Sequence, residues 1–99
     1  MYIYNVTISI DKSVADEWHQ WMKTNHIPAV MATGYFIDYK FCSVLFVDDE
    51  GATFSTQYTF KTMGDIEAYQ KLEAPRLQED MKALYDGKYH AFRTLLEIL

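Results

Sequence analysis

The run from Tyr2 to Ile10 constrains this chain more than any other stretch. Tyr4, Val6, Ile8 and Ile10 are apolar, and Asn5, Thr7 and Ser9 between them are small and polar. A period of two marks a β-strand with unlike faces, one of them destined for a core. A helix gains nothing from this pattern, because at 3.6 residues per turn the same alternation scatters its apolar groups around the whole cylinder.

A helix must follow at once. Ser13 with Asp16 three residues later predicts a capping-box-like start. Val14, Trp18, Trp21 and Met22 then recur at helical spacing as one apolar stripe. Asn25 is the expected stop, Pro28 opens a short turn through Met31, and Gly34 ends it. Tyr35 to Val47 and Thr53 to Lys61 read as two strands of a hairpin, rich in aromatic and β-branched residues, with Asp48-Asp49-Glu50-Gly51 as the turn. A second helical region begins near Thr62 or Asp65. Pro75 should kink or restart it, and Gly87 should cap it. Tyr89 to Ile98 is the last strand. The order is β-α-β-β-α-β, an α+β ferredoxin-like arrangement with both helical regions on one face of a four-stranded antiparallel sheet. It reads as a single domain over residues 1–99, without repeat or linker.

Composition excludes several function classes. Fourteen acids against nine bases give a net charge of −5, and the bases are spread along the chain, so no basic patch invites nucleic acid. An RNA-recognition domain shares this topology, but the third strand shows Ser55, Gln57 and Thr59 where basic and aromatic groups would be needed. One cysteine, Cys42, allows no internal disulfide. The opening strand-like run resembles no signal peptide and no apolar run reaches membrane-spanning length, so the expected setting is the cytoplasm. At 16% aromatic, the chain carries more large apolar material than a domain of this size easily hides, which implies surface reserved for a partner or ligand.

The second face of the sheet points to a partner. Ile3, Asn5, Thr7 and Ser9 share it with Ser55, Gln57 and Thr59, with Asp38, Lys40 and Cys42 of the second strand, and with Arg93, Leu95 and Glu97 assigned from the last. Most of these groups are short, where a solvated face would carry longer charged ones. Short Ser, Thr and Asn side chains let another sheet approach closely, and Arg93 and Asp38 could pair across a two-fold axis. The expectation is a homodimer joined through Asn5, Thr7, Ser9, Asp38, Lys40, Gln57 and Arg93.

The stretch Trp18 to Phe36, with its Asn25-His26-Ile27-Pro28 step before Gly34, resembles the first-helix exit of the dimeric α+β barrel superfamily, notably its EthD-like branch. The whole chain, from Tyr2-Ile3-Tyr4-Asn5-Val6-Thr7 to Phe92-Arg93-Thr94, resembles more closely an uncharacterised family of short bacterial proteins known only as a domain of unknown function. The resemblance implies a sheet-to-sheet dimer and lends no activity. Haem-degrading members of the superfamily use a strand-1 Asn with a Trp and a His. Asn5 matches, but the second helical region has no His and the third strand no Trp.

His26 is the one candidate for catalysis. It falls four residues after Met22, which aims it along the apolar stripe toward the space between helix and sheet, where an imidazole can serve as a base. Trp18, Trp21, Tyr39, Tyr58 and Tyr69 are candidates to line a cleft there for a small planar ligand. No cofactor, metal, nucleophile or phosphate-loop motif stands out. Two readings follow: a dimeric module of unassigned function that binds a small molecule or partner, or a cofactor-independent enzyme acting on an aromatic or cyclic metabolite by proton transfer or oxygenation.

Overall fold

A computed structural model describes residues 1–47 and 51–99. The element order is β1 (Tyr2–Asp11), α1 (Ala15–Trp21), α2 (Ile27–Ala32), β2 (Asp38–Ser43), β3 (Gly51–Phe60), α3 (Met63–Leu72), α4 (Ala74–Tyr85) and β4 (Tyr89–Glu97). The strands form one antiparallel sheet in the order β2-β3-β1-β4, the ferredoxin-like arrangement. Asp48, Asp49 and Glu50 of the expected turn lie outside the described residues, while Gly51 is the first residue of β3.

The helices pack on the sheet face that carries Tyr4, Ile8 and Ile10, all buried, together with Tyr58 and Phe60 of β3. Trp18 of α1 meets Phe41 and Phe54, and Tyr69 of α3 stands edge-on to Tyr4, so both helical regions share that face. The connection before β2 adds to this core. Phe36 is buried against Tyr4, Tyr58, Phe60 and Tyr69, so the aromatic run from Tyr35 divides between a core plug and a strand that begins only at Asp38.

Two local expectations change. The first helix does not stop at Asn25. A five-residue π turn, Met22–His26, joins α1 to α2, with the Ile27 N–H donating back to the Met22 carbonyl. The reason is Pro28, which has no N–H for the helical ladder and whose ring crowds the carbonyl four residues back. A widened turn relieves that crowding without breaking the helix. Thr24 Oγ1 meets the Gln20 carbonyl at 2.8 Å, adding a partner inside the loosened turn. The start of the helix also differs. Asp11, not Asp16, does the capping: its Oδ1 accepts from the Ser13 N–H at 2.8 Å and the Ser13 hydroxyl at 2.6 Å, and a 3₁₀ turn over Lys12–Val14 leads into α1. Thr62 and Asp65 form a reciprocal capping box on α3. The helix breaks at Glu73 and restarts with Pro75 in the first turn of α4. Gly34 and Gly87, at φ +83° and +76°, end α2 and α4 in the left-handed region.

Strand β4 requires a correction with functional weight. It pairs with β1 so that Arg93 lies opposite Val6, Leu95 opposite Tyr4 and Glu97 opposite Tyr2. Directly opposed residues point to the same side, so Arg93, Leu95 and Glu97 have the parity of the helix-facing side, not of the second face. The β4 members of the second face are His90, Phe92, Thr94 and Leu96, opposite Ser9, Thr7, Asn5 and Ile3. The other assignments to that face agree with the register: Asp38, Lys40 and Cys42 lie opposite Thr59, Gln57 and Ser55, which in turn oppose Ile3, Asn5 and Thr7.

Candidate functional site

The π turn carries His26 to the junction of the helical layer. Its ring stacks on Trp21 with centroids 5.1 Å apart, and Trp21 stands edge-on to Tyr85 of α4 at 5.6 Å. Tyr85 Oη donates to Glu17 Oε1 at 3.4 Å, closing a row of polar tips along the seam between the first helix and α4. Burial pushes the His26 imidazole down to about 4, with Arg93 adding to the effect and the Asp80 carboxylate opposing it. His26 is therefore neutral at pH 7, and a weak base compared with one poised near neutrality.

On the sheet side of His26 lies a narrow cavity with about 30 Å³ open to the centre of a water molecule. Tyr4, Thr56, Tyr58, Tyr69, Gln78, Tyr89 and Arg93 line it with aliphatic groups from β1 and the helices. That space suits one or two waters and not a ring, because the rings of Phe36, Tyr58 and Tyr69 pack around Tyr4 and occupy the room. Two wider grooves adjoin it. One, of about 310 Å³, runs along the seam of the first helix and α4 and shares His26 and Leu77 with the inner cavity, so those two side chains form the wall between them. The other, of about 340 Å³, lies between α4 and β4; Gln78, Tyr89 and Arg93 border both it and the inner cavity.

Charge at the inner cavity reduces to one group. Burial raises the phenols of Tyr58 and Tyr69, and neighbouring tyrosines raise them further. Burial also raises Tyr4, against the opposing pull of the nearby Arg93 guanidinium. All three phenols stay protonated at neutral pH. Arg93 is then the only formally charged side chain on the lining, and among the described residues no carboxylate comes within ion-pair distance of it.

Of the sequence candidates, His26, Tyr58 and Tyr69 meet at this cavity. Trp21 lines the outer groove beside His26. Trp18 is wholly buried against Phe41 and Phe54 and borders none of these spaces, and Tyr39, 47% exposed, lies on the edge strand. Sequence reasoning missed Gln78, Tyr89 and above all Arg93. Strand β4 places apolar residues on both parities, Tyr89 and Leu95 on one and Phe92 and Leu96 on the other, so alternation alone cannot say which side is inner. Among the described residues no cluster of His, Cys, Asp and Glu could hold a metal.

Fold and site together define a ferredoxin-like α+β protein with a water-sized cavity and two flanking grooves between its helical layer and its sheet. The chain belongs to DUF4286, a domain of unknown function, whose family model it matches over residues 1–99. No curated protein matches the sequence. Similar solved structures include an EthD-family protein of Bacillus halodurans, 10% identical with a TM-score of 0.70 over 100% of both chains. They also include a putative antibiotic biosynthesis monooxygenase of Nitrosomonas europaea, 16% identical with a TM-score of 0.69 over 100% of this chain and 99% of that one. A dimeric ferredoxin-like protein from an uncultured marine organism is 7% identical with a TM-score of 0.73, over 100% of this chain and 95% of that one. At these identities the shared property is the fold.

Proposed function

We propose that the chain is a homodimeric binding module which holds a small flat molecule where the helical layer meets β4. The observation that carries this reading is Arg93, a cation on the helix-facing side of the sheet near the neutral phenol of Tyr4, with grooves on either side of its cavity. A solvent-reachable cation beside aromatic walls, with no carboxylate in ion-pair range among the described residues, can receive a ligand at a concave site. Binding is favoured over proton-transfer catalysis because burial weakens His26 as a base. The test is a heteronuclear NMR screen of the intact protein against planar aromatic compounds, acids and neutral analogues alike. Shifts confined to Gln78, Tyr89, Ala91 and Arg93 are expected, and a screen in which no compound moves them would overturn the reading.

Homodimerisation through the second sheet face belongs to the same proposal. Ser55 Oγ donates to Asn5 Oδ1 at 2.6 Å and Asn5 Nδ2 donates to Thr7 Oγ1 at 3.1 Å, so the short polar groups at the centre are tied to one another and lie low. Beside them Phe92 is 64% exposed and Leu96 is exposed as well, an apolar strip that a second copy would cover. A dimer is also what the marine neighbour is described as. Sedimentation at micromolar concentration should return twice the chain mass. A cytoplasmic setting fits the exposed free thiol of Cys42, which a reducing compartment would keep intact; among the described residues no helix is long and apolar enough to cross a membrane.

A further inference from the structure

We propose that the ligand is an aromatic carboxylate, with its acid on Arg93 at the α4–β4 groove and its ring along the groove floor. This rests on the binding reading above and names the chemistry it selects. The groove between α4 and β4 brings Lys82 to the same lining as Arg93, with Glu79 as the one acid. That leaves a local excess of one positive charge on a chain whose net charge is −5. The remaining neutral polar groups of the groove can also donate: the Gln78 amide and the Tyr89 hydroxyl. A planar guanidinium presents its donors as a fork, which suits the two oxygens of a carboxylate.

The lining of this groove is mostly polar, and its apolar contacts gather in one strip. Tyr89 and Ala91 succeed one another on the helix-facing side of β4, and Pro75 faces them from the first turn of α4. A ring can lie along that strip, whereas the inner cavity beyond Arg93 has room only for water. The site therefore lies at the β4 side of the cleft and not behind His26. His26 stays neutral across the cavity, so it adds no second charge that would favour a dianion.

The test uses 1-naphthoate, 1-naphthamide and acetate, titrated by calorimetry and NMR into the intact protein and into Arg93→Gln and Arg93→Lys. Naphthoate should bind about tenfold or more tightly than naphthamide. Arg93→Gln should bring the two within about twofold, and Arg93→Lys should keep part of the preference, since it retains charge and loses the fork. Arg93 is exposed at the edge strand, so both variants should fold, and circular dichroism would verify it. Equal binding of naphthoate and naphthamide to the unaltered protein would overturn the carboxylate assignment while leaving the cleft reading standing. Acetate binding as tightly as naphthoate would overturn the aromatic part. No perturbation of the groove by any of the three aromatic or anionic probes would remove both the assignment and the binding reading.

Discussion

The two faces of the sheet are made from neighbouring residues of the same strands, yet they follow opposite rules. On the inner face Tyr4, Ile8, Ile10, Tyr58 and Phe60 are buried under the helices, and stability comes from apolar area and ring packing. On the outer face Ile3, Asn5, Thr7 and Ser9 are half-buried within one chain, and the short polar groups at its centre lie beside exposed Phe92 and Leu96. The inner face carries its strand charges, Arg93 and Glu97, on the edge strand β4. The outer face keeps its long charges, Asp38 and Lys40, on the edge strand β2. One face is satisfied by its own chain, and the other is the face on which the proposed second copy would sit.

The strongest way to break this contrast is to empty the inner face. Trp18 has no exposed surface and packs on Phe41 and Phe54. Trp18→Ala should cost roughly 3–5 kcal/mol of folding stability in chemical denaturation; a loss under about 1 kcal/mol would mean that the helical layer is not seated on the sheet. The Trp18 indole N–H is buried without a hydrogen-bond partner among the described residues, so Trp18→Phe should cost less than the truncation, since it removes an unsatisfied donor along with part of the ring.

The complementary change is Thr7→Lys on the outer face. It should leave the monomer folded and weaken association by roughly a hundredfold, about 3 kcal/mol, through crowding and a buried unpaired charge. Sedimentation at a series of concentrations reads this directly. Unchanged association would mean that the outer face is not the interface.

Acid should act on the inner side. The unfolded His26 has an ordinary value near 6.5, and in the folded chain burial holds it at about 4. Between these values the unfolded state binds the proton and the folded state does not. The stability is therefore fully present above about pH 6.5 and is lost as pH falls toward 4, by on the order of 3 kcal/mol in total. His26→Phe keeps a ring on Trp21 and should flatten that part of the stability–pH curve. A slope that persists in the variant would assign it to other groups.

The smallest expected effect lies in the helical layer itself. Thr62 accepts from the Asp65 N–H at 3.2 Å while the Asp65 carboxylate accepts from the Thr62 N–H at 3.3 Å. Thr62→Ala should cost about 1 kcal/mol in thermal or chemical denaturation and leave association untouched, separating helix-layer stability from outer-face assembly.

Much of this was readable in the chain itself. The strict alternation of Tyr4 to Ile10 assigns the faces of β1 because each parity holds one kind of residue. Trp18 and Met22 mark the buried side of the first helix by spacing alone, and Gly34, Pro75 and Gly87 mark breaks through backbone chemistry that no neighbour can override. These are local signals, and local physics sets them. The π turn at Met22–His26 was not readable in this way, because a proline after an Asn-His pair is compatible with a stop or with a widened turn, and packing of Ile27 and Val30 into the core selects the second. Nor was the side taken by Arg93. Strand β4 has apolar residues on both parities, so its orientation follows only from pairing with β1, a contact between opposite ends of the chain. That pairing turns Arg93 from a candidate interface residue into the charged group of the cleft, and only the tertiary structure decides it, because the register of a strand is a property of two segments and not of one.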